Sequence, residues 1–134
     1  MRILLLLFTA LFLVSCGASG SPNSAAPTAP DISGAWFGQL DVSNCGPVQP
    51  VSFSLSLTQQ YPDTYQGFVL GDRQSPVSVR YERASSAYKL QAKDFSYEML
   101  LLGGAQRLSG SYEGQNRSAA CTGYRPRGSV ELWR

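Results

Sequence analysis

The side chains best equipped for chemistry are three cysteines, Cys16, Cys45 and Cys121, and a cluster of Arg117, Tyr124, Arg125 and Arg127 near the C-terminus. Histidine is absent. That removes the commonest general base near neutral pH and the commonest metal ligand, so Ser-His or Cys-His nucleophilic catalysis and most zinc sites are disfavoured. There is no Gly-x-Ser-x-Gly elbow, phosphate-cradling glycine loop or Cys-x-x-Cys. The nine carboxylates are spread along the chain and none forms a pair suited to glycoside hydrolysis. These features predict a protein that is not an enzyme and uses no metal or cofactor.

The N-terminus decides how the cysteines are counted. After Arg2, Ile3 to Val14 is an apolar run broken only by Thr9. As a helix it would span roughly 18 Å, short of a hydrocarbon core of ~30 Å, which suits a signal peptide better than a membrane span. The run closes on Leu13-Val14-Ser15-Cys16. This segment resembles the lipobox of bacterial lipoproteins. The resemblance implies cleavage between Ser15 and Cys16, lipidation of Cys16, and a membrane anchor of two or more acyl chains. Gly17 stands where an Asp would favour inner-membrane retention, so the resemblance points to the outer membrane of the cell envelope. Lipidation takes Cys16 out of the count and leaves Cys45 and Cys121 as a pair in an oxidising compartment, where a disulfide is expected.

Loss of Arg2 with residues 1–15 leaves ten basic and nine acidic residues. A charge so close to zero provides no general attraction for nucleic acid. Residues 17–30 carry no charge and no aromatic, only Gly, Ala, Ser, Pro, Asn and Thr. Such a stretch reads, with Cys16, as a flexible tether (16–30) with a reach of about 20 Å.

Residues 31–134 must position whatever the protein binds, and their dominant signal is alternation. Val51, Phe53, Leu55 and Leu57 alternate with Ser52, Ser54, Ser56 and Thr58, the pattern of a half-buried strand. Ile32, Trp36, Leu40 and Val42 form a similar face, with Gly34 and Gly38 on the same side. Further strands are predicted over Tyr65–Leu70, Val77–Tyr81, Tyr88–Ala92, Phe95–Leu102, Gln106–Glu113 and Gly128–Trp133. A two-residue turn at Gly103-Gly104 sets Met99 opposite Leu108, Tyr97 opposite Gly110 and Phe95 opposite Tyr112. A second, at Lys93-Asp94, sets Leu90 opposite Tyr97 and Tyr88 opposite Met99, with Lys89 meeting Glu98 on the polar face. Both registers sort apolar residues to one side, which a one-residue slip would undo. Eight short strands with hairpin-length links predict an all-β, antiparallel, up-and-down barrel, with a β-sandwich as the alternative. A barrel of this size is filled by side chains or holds one small ligand.

Gly34-Ala35-Trp36 resembles the Gly-x-Trp at the start of lipocalin and avidin-type barrels. In lipocalins that Trp packs at the barrel base under a basic residue near the last strand, a part Arg134 or Arg127 would take here. Trp36 is thus a core plug or a ligand contact. Ser109-Gly110-Ser111-Tyr112, followed by Cys121, resembles the Ser-Gly-x-x-Tyr element of periplasmic lysozyme-inhibitor lipoproteins. As ordinary strand, its Gly110 and Tyr112 would point inward.

Two surface features remain. Gly114 to Gly128 is the longest irregular segment, holding Arg117, Tyr124, Arg125 and Arg127 without an acidic residue. Arg and Tyr are favoured interface residues, and loops on rigid scaffolds carry function. Met99-Leu100-Leu101-Leu102 breaks the alternation, so Leu100 and Leu102 are expected to point outward, toward a partner or the membrane surface. The composite expectation is a lipid-anchored envelope protein that binds a small apolar ligand or a protein. A structural or assembly role in the envelope is the alternative.

Overall fold

The computed structural model describes residues 28–47, 49–71 and 73–134. The expected signal peptide (1–15), the expected lipidation site Cys16 and residues 17–27 of the expected tether lie outside this range.

The alternating segments form eight strands: β1 (Gly34–Val42), β2 (Val51–Tyr61), β3 (Thr64–Leu70), β4 (Gln74–Glu82), β5 (Ala87–Ala92), β6 (Tyr97–Gly103), β7 (Arg107–Gly114) and β8 (Arg127–Trp133). Each pairs antiparallel with its neighbours in sequence, and β8 closes on β1 through pairs such as Phe37 with Trp133 and Leu40 with Val130. The fold is therefore a closed up-and-down barrel, not a sandwich, and no strand edge is left open. One 3₁₀ turn, Ala119–Cys121, interrupts the β7–β8 connection.

Inward positions fill the interior. Leu55, Leu57, Val77, Val79, Leu90, Met99, Leu101, Leu108, Val130 and Leu132 are all buried. Glycines make room at several close approaches, Gly38 and Gly110 among them. A Cβ on Gly38 would strike the Phe53 ring, and one on Gly110 would strike the Leu100 carbonyl. The Gly110 of the Ser-Gly-Ser-Tyr element thus has a packing reason of its own.

Both predicted hairpins differ in register from expectation. In β6–β7, Met99 faces Tyr112, Leu101 faces Gly110 and Gly103 faces Leu108. The Gly104 N–H bonds to the Arg107 carbonyl, so the tip is Ala105-Gln106, not Gly103-Gly104. In β5–β6, Leu90 faces Met99 and Tyr88 faces Leu101. Phe95, expected as an inward strand residue, sits in the turn at positive φ with 66% of its surface exposed. Its N–H bonds to the Ala92 carbonyl, while the Asp94 carboxylate accepts from the Ser96 N–H and hydroxyl. Both slips are by an even number of residues. Apart from Phe95, the side chains within the paired strands therefore stay on their predicted faces, and only their partners change. Lys89 still reaches Glu98, at 3.8 Å, although Leu100 is its direct neighbour.

The barrel has two unlike ends. The base is closed by Ile32, Trp36, Tyr65 and Tyr88, all buried. The Trp36 indole donates to the Ile32 carbonyl at 2.9 Å, and Tyr88 donates to the Pro30 carbonyl. Ala29 also packs on this cluster, so the domain's packing begins two residues before the expected boundary at residue 31. The other end, the mouth, carries the β1–β2, β3–β4, β5–β6 and β7–β8 connections.

Candidate functional site

Trp36 is fully buried at the base, with the Arg134 guanidinium 4.2 Å above its ring. Arg134 also donates to the Asp31 carbonyl at 3.3 Å. Of the two basic residues expected over this indole, Arg134 takes the place and Arg127 lies at the mouth end. Hydrogen bonds from Ser33 to the Asp31 carboxylate hold its pKa below the usual range. Burial raises the pKa of Tyr65 and Tyr88, keeping the phenols neutral in the core.

At the mouth, the interior opens into a recess of about 210 Å³, lined chiefly by Leu40, Val51, Phe53, Val69, Tyr97 and Tyr112. Each belongs to the mouthward end of its strand and continues the inward stripe. Met99 forms part of the lining, while Arg73 and Ser75 stand at its edge. The Tyr97 and Tyr112 rings stack at a tilt, 5.8 Å apart, and Tyr97 donates to the Ser75 hydroxyl at 3.3 Å. Burial again raises both phenol pKa values. Trp36 does not line this recess.

Beside the mouth, the β7–β8 connection is pinned to the β1–β2 connection. Cys45 and Cys121 form a disulfide, as expected, across 76 positions of sequence. The Asn44 side chain adds two bonds, donating to the Arg125 carbonyl at 2.8 Å and accepting from the Arg127 N–H at 2.7 Å. Within the connection, the Ser118 N–H bonds to the Tyr124 carbonyl and the Gly123 N–H to the Ser118 carbonyl. Tyr124, Arg125 and Arg127 are thereby brought together with Arg117 and Asn44 around a cavity of about 300 Å³. Glu113, on the outer face of β7, lies 3.7 Å from Arg125 and 3.4 Å from Arg127.

Leu100 and Leu102 point outward as expected, 41% and 50% exposed. Leu100 sits in a shallow outer groove with Lys89, Glu98, Ser111 and Glu113. The two leucines are not part of the arginine cavity, although Glu113 borders both places. Sequence reasoning missed Asn44 and Glu113. The only signal for Asn44 was its place next to Cys45, and Glu113 had none beyond ending a strand.

Among the described residues, no group of three or more His, Cys, Asp or Glu is arranged to hold a metal ion. No protein-family model matches the chain, and no curated protein is similar to it.

Proposed function

We propose that this chain is a non-enzymatic binding module of the bacterial cell envelope, exported, held to the outer membrane by acyl chains on Cys16, and engaging a protein partner through the mouth of its barrel. One observation carries the reading: the interior is filled, and the apolar recess of about 210 Å³ at its mouth has room for a protruding side chain but not for a whole enclosed ligand. Small-molecule pockets usually begin at about 300 Å³. The rim also offers residues suited to partner contact, with Tyr124 70% exposed beside Arg125 and Arg127. A small apolar ligand is the second reading, favoured by the scarcity of polar groups in the recess.

The test is photo-crosslinking of the lipidated chain in its own envelope, with the reactive group at Val51 or Tyr124. A discrete protein adduct that Val51→Glu suppresses supports the first reading. An organic-soluble molecule released from the purified protein, without a protein adduct, supports the second. Finding neither would sink both. The anchor is tested separately, and an unmodified thiol at Cys16 by mass spectrometry would remove it.

A further inference from the structure

The cavity formed by Arg117, Tyr124, Arg125, Arg127 and Asn44 has the charge, the stiffness and the room of an anion site. Among the described residues, Glu113 is the only carboxylate paired with any of the three arginines. Its contacts, at 3.7 and 3.4 Å, are long beside the tight pairs of the same molecule, Arg83–Asp63 at 2.8 Å and Arg107–Glu131 at 3.0 Å. One carboxylate thus serves two of the three guanidinium groups, the Gln115 amide oxygen accepts from Arg125 at 3.3 Å, and most of the remaining N–H donors are left for something else. The backbone that carries them is fixed by the disulfide and by both arms of the Asn44 amide. A site stiffened in advance loses little ordering entropy when it binds.

Three positive charges against one negative leave an excess of two. A dianion matches that excess, and planar guanidinium forks match the oxygens of a phosphoryl group. We propose that this cavity binds a dianionic phosphoryl group, with Arg117, Arg125 and Arg127 as the charged donors, the Tyr124 hydroxyl as a neutral donor, and Glu113 as a resident competitor. Glu113 borders the site from β7, so an incoming phosphoryl group takes over the Arg125 and Arg127 donors that Glu113 now engages at long range. The site lies on the shoulder of the mouth and does not depend on the apolar recess being occupied.

The inference is tested by NMR of the full chain in a non-ionic detergent, following the arginine side-chain N–H signals. Two probes separate the possible sources of the phosphoryl group: soluble pyrophosphate, and phosphatidic acid doped into the micelles. Saturable shifts confined to Arg117, Arg125 and Arg127 with pyrophosphate alone assign the site to a soluble phosphate. The same shifts with phosphatidic acid assign it to a lipid headgroup. Glu113→Gln removes the competitor and should tighten pyrophosphate binding about threefold, the scale of an exposed ion pair. Arg125→Lys with Arg127→Lys keeps the charge, removes the forks and should weaken binding, while thermal unfolding confirms that each variant is folded. Shifts that fail to saturate with either probe by about 10 mM, or a Glu113→Gln variant that binds no more tightly than the original, would overturn the proposal. Val51 lies in the apolar recess and touches none of these arginines, so crosslinking there distinguishes failure of the protein-binding mouth from failure of this site, although Tyr124, Arg125 and Arg127 are common to both readings.

Discussion

Tyr88 shows how one residue can hold the base together. Its ring packs edge-on to Tyr65 at 6.3 Å and against Tyr81 at 4.8 Å, while its hydroxyl reaches the Pro30 carbonyl. Tyr88→Phe keeps the rings and strands that carbonyl, so a loss of about 1 kcal/mol is expected in denaturant unfolding. The phenol also makes stability pH-dependent. Burial raises its folded pKa above the unfolded value, and the neighbouring phenols and the Asp31 and Asp63 carboxylates add to the rise. The stabilisation this reflects is fully present below the unfolded value of about 10 and is lost as pH climbs from there through the folded value. Tyr65, Tyr97 and Tyr112 are shifted the same way by burial. Unfolding free energy measured from neutral to strongly alkaline pH should therefore fall beyond about pH 10. Tyr88→Phe should flatten that fall, and an unchanged slope would show that the phenol is not buried as described.

At the scale of elements, the two misread hairpins separate what alternation encodes from what it does not. Inward and outward faces were legible because apolar and polar residues alternate with period two, and burying the wrong face is costly. Register was not legible, because any even slip preserves the sorting. Gly103-Gly104 looks like a turn, yet Gly103 belongs to β6, held at positive φ where a Cβ would strike the Arg107 carbonyl. The glycine marks a close approach there, two residues before the tip. Cross-strand NOEs should link Met99 with Tyr112, and a strong Met99–Leu108 contact would restore the other register. Pro76 similarly hid the start of β4, yet it lies within the strand opposite Phe68, near the strand's first residue, where proline is tolerated. The β7–β8 connection was recognisable from its length and its arginines, but not its anchoring by Asn44, since nothing local in the sequence says which loop an exposed amide will meet. Replacing Cys45 and Cys121 with alanine should cost up to about 4 kcal/mol. Asn44→Ala, with the disulfide intact, should cost about 1–2 kcal/mol through two lost bonds. Leu100→Ser and Leu102→Ser, at exposed outer positions, should stay within about 0.5 kcal/mol. Thermal or denaturant unfolding of the set ranks all three effects.

The whole molecule is a barrel with its stopper at one end and the apolar recess and arginine cavity at the other. The stopper was partly legible, because Trp36 opens the first strand and Arg134 ends the chain beside it. The mouth was not, because Leu40, Phe53, Val69, Tyr97 and Tyr112 come from five different strands and meet only when the sheet closes. Residues 28–33 lead in at the stoppered base, whereas Cys45 and Cys121 bridge the mouth end. That arrangement defines a load path. If the chain is held through residues ahead of Thr28 and a partner grips the arginine loop, tension runs through Ala29 and Ile32, along β1, and directly across the disulfide. Strands β2 to β7 lie outside that path, enclosed by the covalent loop from Cys45 to Cys121. Even with β1 stripped out, the segment from Thr28 to Cys45 can pay out no more than about 60 Å, and the rest of the domain bears none of the force. The disulfide then acts as a mechanical bypass, and reducing it would send the same pull through β1 to β7 in turn.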